Sequence, residues 1–199
     1  MMSGNHSLGA GKAEPPVGTR ILVLGCPGSG KSVFSLRLGE KTGLPVVHLD
    51  NVWWRPDRTH ITREAFDQRL GDILGGEAWI LDGNYSRTYE VRVRACDTVV
   101  FLDYSLETCM RGITERVGTQ RPDMPWTEQT LDPELVVLVE NFRTENRPAL
   151  LALMEKYPEK RQFIFQTRAE ADAWLAALPS EALLLNGNTE RTEACKPND

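Results

Sequence analysis

Apolar and polar positions alternate along this chain with two periods, one of strands and one of helices. "RILVL", 20–24, is a short β-branched run that reads as a strand and ends on a cluster of glycines. "KSVFSLRLGEKTG" follows with helical spacing. Phe34 and Leu38 share one face, as do Val33 and Leu36, and Gly43 and Pro45 stop the helix. "LPVVHLD" reads as a second strand, "AWILD" as a third, "DTVVFLD" as a fourth and "RQFIFQT" as a fifth. Between them, Thr62 is placed to cap a helix through "REAFDQRLGDILGG", with Glu64 in its first turn. "SLETCMRGITERVG" aligns Leu106, Met110, Ile113 and Val117 in one stripe. A long helix is expected from about Pro133 to Tyr157, and a last one over "RAEADAWLAAL".

Strands alternating with helices imply an α/β fold: a five-stranded parallel sheet covered by helices on both faces, three layers in all. Two stretches break the pattern. "WWRPDRTH" is polar and turn-rich, and "TQRPDMPWTEQTLDP" carries Pro122 and Pro125 close together and reads as a lid over about 118–132. No repeat and no linker divides the chain. Residues 1–18 read as a flexible arm, 19–179 as one domain and 180–199 as a polar tail.

Composition narrows the function only a little. The 199 residues are 41% hydrophobic and 26% charged, with net charge −5. That describes a globular chain for which nucleic acid is not an expected partner. The four cysteines, Cys26, Cys96, Cys109 and Cys195, have no metal or disulfide spacing and fit a reducing, cytoplasmic setting. No apolar run approaches the ~18 residues of a membrane span.

The chemistry lies where strands end, because ligands of parallel sheets sit outside the carboxyl ends of the strands. After the first strand, "GCPGSGKS" fits G-x-x-x-x-G-K-[ST] in full. Gly25, Gly28 and Gly30, with Pro27 and Ser29 between them, let backbone N–H groups turn toward phosphate oxygens. The following helix, from Lys31 through Ser32 and Val33, aims its positive end at the same anion. Lys31 supplies a cation for the β and γ phosphates, and the Ser32 hydroxyl is a ligand for Mg²⁺. ATP and Mg²⁺ are therefore the expected cofactors.

The other strand ends supply Asp50, Asp82 and Asp103, then Gln166 and Arg168 in "QTR", a candidate adenine-facing loop. Asp82 is the first candidate for the metal, and Asp103 the second. Asp50 is the candidate base or acceptor ligand, since a hydroxyl acceptor needs a group to orient it and take its proton. Arg87 is placed to reach an acceptor phosphate. Phosphoryl transfer needs arginines near the moving group. Arg116 and Arg121 are the first choices, with Arg111, Arg143 and Arg147 also flanking the lid. His48 and His60 lack partners at metal spacing and read as structural. Trp53 and Trp54 either stack an acceptor or cover the helix beside it.

The set "GCPGSGKS", "LPVVHLD" with tryptophan, "WILDGNYS", "VVFLD" and the later arginines resembles adenylate-kinase-like P-loop kinases of the topology modulation protein family, over roughly Arg20 to Leu178. The resemblance implies a P-loop NTPase fold with strand order 2-3-1-4-5, an acceptor-side helical segment after strand two and a mobile lid. "ILDGNYSR" is similar to the D-G-F-P-R segment of adenylate kinases, with one extra residue before the arginine. There the aspartate acts through the metal and the arginine binds phosphate, which implies those roles for Asp82 and Arg87. The lid holds no cysteine, so no zinc lid is implied. The expected activity is transfer of the γ-phosphate of ATP to a small acceptor, a nucleotide or nucleoside. The alternatives are a nucleotide-switched regulatory or DNA-associated ATP-binding protein and a plain ATPase.

Overall fold

Leu22 and Val23 point to opposite sides of a strand, yet both are fully buried, so that strand is covered on both faces. A computed structural model, describing residues 17–179, shows the cover. The strands are β1 (Arg20–Gly25), β2 (Val46–His48), β3 (Trp79–Asp82), β4 (Thr98–Leu102) and β5 (Arg161–Phe165). They form one parallel sheet in the order β2-β3-β1-β4-β5, as the resemblance implies. Val17 is buried and Gly18 N donates to Thr98 Oγ1 at 3.0 Å. Residues 1–16 of the expected arm, and the tail over 180–199, lie outside the described residues.

The helices are α1 (Lys31–Thr42), α2 (Leu49–Trp53), α3 (Arg63–Leu74), α4 (Tyr89–Ala95), α5 (Leu106–Glu115), α6 (Pro133–Phe142), α7 (Asn146–Lys156) and α8 (Arg168–Ala177). α1 packs on β1, β2 and β3 and meets α8, where the Phe34 and Trp174 rings stack at 6.1 Å. α4 packs on β1 and meets α7. Side-chain oxygens of Thr62, Ser105, Asp132 and Thr167 accept first-turn N–H groups and start α3, α5, α6 and α8. Each such cap contributes about 1 kcal/mol.

Two elements differ from expectation. The long helix over 133–157 is two helices, α6 and α7, separated by a turn at 143–145. Pro148 has no N–H for the Thr144 carbonyl, and its ring would collide with that carbonyl in a continuous helix. The second strand stops at His48, which pairs with Asp82, the last residue of β3. No partner strand remains for Leu49 and Asp50, and they form the first turn of α2 instead. On α1, Val33 is 61% exposed, while Phe34, Ser35 and Leu38 form the buried face.

Candidate active site

The carboxyl ends of β1 and β3, α2 and the lid enclose a cleft of about 1120 Å³. Its floor is the loop after β1. Ser29 N bonds to Cys26 O at 3.1 Å, and Gly28 and Gly30 adopt φ of 81° and 89°, in the left-handed region open to glycine. A side chain at Gly28 would also lie 2.1 Å from the Cys109 carbonyl, so the loop can sit on α5 only without one. Lys31 Nζ donates to the carbonyls of Gly25 and Cys26, at 3.0 Å each. Desolvation pushes the Lys31 ammonium below its ordinary value, against the opposing pull of Asp82 and Asp50. The Ser29 hydroxyl is buried in the cradle without a partner. An unengaged donor and a lysine resting on carbonyls suit a loop whose preferred ligand is a polyphosphate.

Asp82 closes β3, is 2% exposed and lines the same cleft. Its Oδ2 lies 2.9 Å from His48 Nδ1. Burial, the largest influence on His48, opposes its charge, but the bond to and the charge of Asp82 outweigh it and raise its pKa. His48 thus holds the carboxylate of the first metal candidate in place. Ser32 and Asp82 offer hard oxygen donors, the chemistry Mg²⁺ prefers. Among the described residues no three His, Cys, Asp or Glu form a cage. Mg²⁺ fits such a sparse site because it keeps its remaining positions for water and substrate phosphate.

Asp50, on α2, also lines the cleft and accepts a 2.8 Å hydrogen bond from the Tyr85 hydroxyl. Desolvation raises its pKa, reinforced by Asp123 and Asp82, while the Tyr85 bond and Lys31 pull it down. The loop carrying Tyr85 is fixed by Arg92, whose buried guanidinium donates to the Gly83, Tyr85 and Thr88 carbonyls at 2.8, 3.1 and 3.3 Å. Burial lowers the Arg92 pKa to about 10.

The lid lies across the cleft and touches both sides of it. Asp123 Oδ2 accepts from Ser32 Oγ at 2.6 Å, and Pro122 O accepts from Asn51 Nδ2 at 2.8 Å. Arg121 bonds Asp123 and Glu128, and Arg116 pairs with Glu128 at 3.0 Å. Burial alone would raise the Asp123 carboxyl, but the bonds from Arg121 and Ser32 hold it at about 2.

Of the residues singled out in the sequence, Pro27, Gly28, Ser29, Gly30, Lys31, Ser32, Val33, Asp50, Asp82, Arg116, Arg121 and Arg168 come together around this cleft. Gly25 lies just beneath it and holds Lys31 through its carbonyl. Arg168 Nη2 is 3.4 Å from Gly28 O. Others are placed elsewhere. Arg87, in a 3₁₀ turn over Ser86–Thr88, turns outward and forms a two-bond pair with Asp67 on α3. Asp103 forms a two-bond pair with Arg147 at 2.8 Å, and Gln166 Nε2 donates to it at 3.1 Å, so these side chains brace one another. Trp53 packs on His60, Phe66 and Tyr85 and covers α3, whereas Trp54 faces the cleft. Sequence reasoning missed Asp123, Tyr85, Arg58 and Trp126. Asp123 and Trp126 lie in the lid that was recognised, but nothing local marks which lid residues point inward.

No family model matches the chain, and no curated protein matches its sequence. Solved structures do share its architecture. A shikimate kinase from Acinetobacter baumannii, in complex with shikimate, superposes with TM-score 0.57 at 15% identity, over 87% of this chain and 96% of that one. A shikimate kinase from Bacteroides thetaiotaomicron gives 0.49 at 18% identity, over 84% and 98%. A sugar kinase from Janibacter sp. HTCC2649 gives 0.48 at 17%, over 80% and 91%. The first likeness shows that the chain shares the fold of that shikimate kinase structure. Among the described residues no helix is long and apolar enough to cross a membrane.

Proposed function

We propose that this chain is an ATP-dependent phosphotransferase of the adenylate-kinase-like kind, moving the γ-phosphoryl group to a hydroxyl of a small acceptor. The observation that carries this reading is one cleft bordered by the phosphate loop on one side and Asp50 on the other, under a lid that carries Arg121 with Arg116 at its base. A plain ATPase has no need of a second, carboxylate-bearing side. The acceptor-side segment after β2 accords with this, as does the fold shared with a shikimate kinase solved with its hydroxylated ligand.

In this scheme the phosphates rest on the N–H groups of 28–32 and the Lys31 ammonium. Ser32 and Asp82 would hold Mg²⁺, which would supply neutralisation of phosphate charge. Asp50 accepts the acceptor's hydroxyl proton as its oxygen bonds to the γ phosphorus and ADP leaves. Arg116 and Arg121 exchange their lid carboxylates for the transferring group. Membership of the topology modulation protein family belongs to the same proposal. Lys31→Ala removes the cation at the phosphates, and ATP consumption should fall at least ~100-fold. An unchanged rate in that variant contradicts the reading.

A further inference from the structure

Given phosphoryl transfer in this cleft, we propose that the acceptor carries an anionic group, carboxylate or phosphate, which Arg58 holds while Trp54 and Trp126 flank the acceptor's body. Arg58 sits in a loop built to aim it. An isolated bridge between Trp54 and His60 closes a tight hairpin. Arg55 N donates to Thr59 O at 2.8 Å, and Arg58 N donates to Arg55 O at 3.0 Å. Asp57 accepts from both Thr59 N and Thr59 Oγ1, which locks the turn. Among the described residues Arg58 is the one non-glycine at positive φ, 65°. That conformation is strained for an arginine, and such strain clusters at binding sites.

The charge this loop presents differs from the other cleft arginines. Arg37 pairs with Asp172, Arg116 with Glu128, and Arg121 with Asp123 and Glu128. Arg168 lies at the phosphate loop. Arg58 is exposed, lines the cleft on the Asp50 side and rests 5.9 Å over the Trp126 ring. Among the described residues no carboxylate pairs with it, since its neighbour Asp57 is engaged with Thr59. A guanidinium steadied by a ring and free of carboxylates is suited to bind a carboxylate or phosphate through two parallel N–H bonds.

The rest of the subsite is consistent in chemistry. Trp54 meets Trp126 nearly edge-on, at 5.5 Å and 84°, forming an apolar corner for a ring or carbon skeleton. Asn84 Oδ1, also at the cleft, is buried without a partner and offers an acceptor for a second hydroxyl. Asp50 then takes the proton of the reacting hydroxyl as its oxygen bonds to the γ phosphorus, and the bond from the β,γ-bridging oxygen to that phosphorus breaks, releasing ADP. Arg58 is thus a specificity residue for this reaction, in a position that Arg87 does not fill.

The test uses the full chain with Mg²⁺ and ATP, and acceptors matched except for the anion: glycerate against glycerol, a cyclic polyhydroxy acid against its alcohol, and a nucleoside monophosphate against its nucleoside. ADP formation gives kcat and KM, and the carboxylate and phosphate arms separate the two sources of charge. The anionic member of at least one pair should be preferred. Arg58→Ala should raise its KM about 10–100-fold with kcat little changed, as loss of a charge-assisted contact implies, and Arg58→Lys should recover part of this. A preference for neutral members, or an Arg58→Ala KM equal to wild type, overturns the inference and leaves phosphoryl transfer standing. If no acceptor in either set is phosphorylated, the inference and the kinase reading fall together. Arg58 is exposed, so its variants should fold, and an unchanged melting temperature confirms that they do.

Discussion

Asp50 is half-buried at the cleft, with one hydroxyl, that of Tyr85, steadying its charge. Its raised pKa has a sign that can be measured. A base must be ionised, so kcat/KM should decline with acid already above the ordinary value of 3.8. Tyr85→Phe removes a bond that favours the ionised form and should move this acid limb to higher pH. A limb that stays put or moves lower would separate Asp50 from the proton transfer. Asp50→Asn should cost roughly 100-fold or more in kcat, within the range of general-base catalysis, with a smaller effect on the KM for ATP. The residue scale is also where the sequence was least legible. Arg87 and Asp103 were reasonable candidates by position, yet their partners, Asp67 and Arg147, come from other elements and take up their charge. A local motif cannot show what a folded neighbour has already paired.

The lid is the element whose behaviour most needs explaining. Two arginines and two carboxylates, Arg116, Arg121, Asp123 and Glu128, brace it internally, and Asp123 ties it to Ser32 of α1. In the proposed scheme a polyphosphate and its metal would need the same Ser32 hydroxyl, so nucleotide entry would compete with this tie. Asp123 is 4% exposed, and removing one partner of such a buried pair costs of the order of 3 kcal/mol. Asp123→Ala should therefore speed proteolytic cleavage within 118–132 in the absence of nucleotide, and an unchanged cleavage rate would show that the tie does not hold the lid. Because the Asp123 carboxyl is depressed, its contribution is present above the ordinary 3.8 and is lost as pH falls through about 2. Among the elements, the strands, α1, α3 and α8 were legible because their apolar spacing, caps and glycines are local signals. The split of α6 from α7 was legible in principle through Pro148, but the apolar pattern on either side masked it.

At the scale of the whole molecule, the sheet order does the assembling. β1 lies between β3 and β4, so the phosphate loop and Asp82 emerge side by side, and β2 beyond β3 brings α2 and Asp50 to the same edge. That order puts donor and acceptor groups from distant parts of the chain around one cleft, while the lid closes it from above. The phosphate-loop half of the site could be read from eight consecutive residues. The acceptor half depends on contacts such as Ser32 with Asp123 and Trp54 with Trp126, between residues far apart in sequence, and became visible only in the folded chain. The most direct test is to follow the γ-phosphate itself. With ATP labelled at that position, Mg²⁺ and the acceptor panel, the label should appear on an acceptor hydroxyl in the wild type and not with Lys31→Ala. Label recovered only as inorganic phosphate with every acceptor would contradict the account.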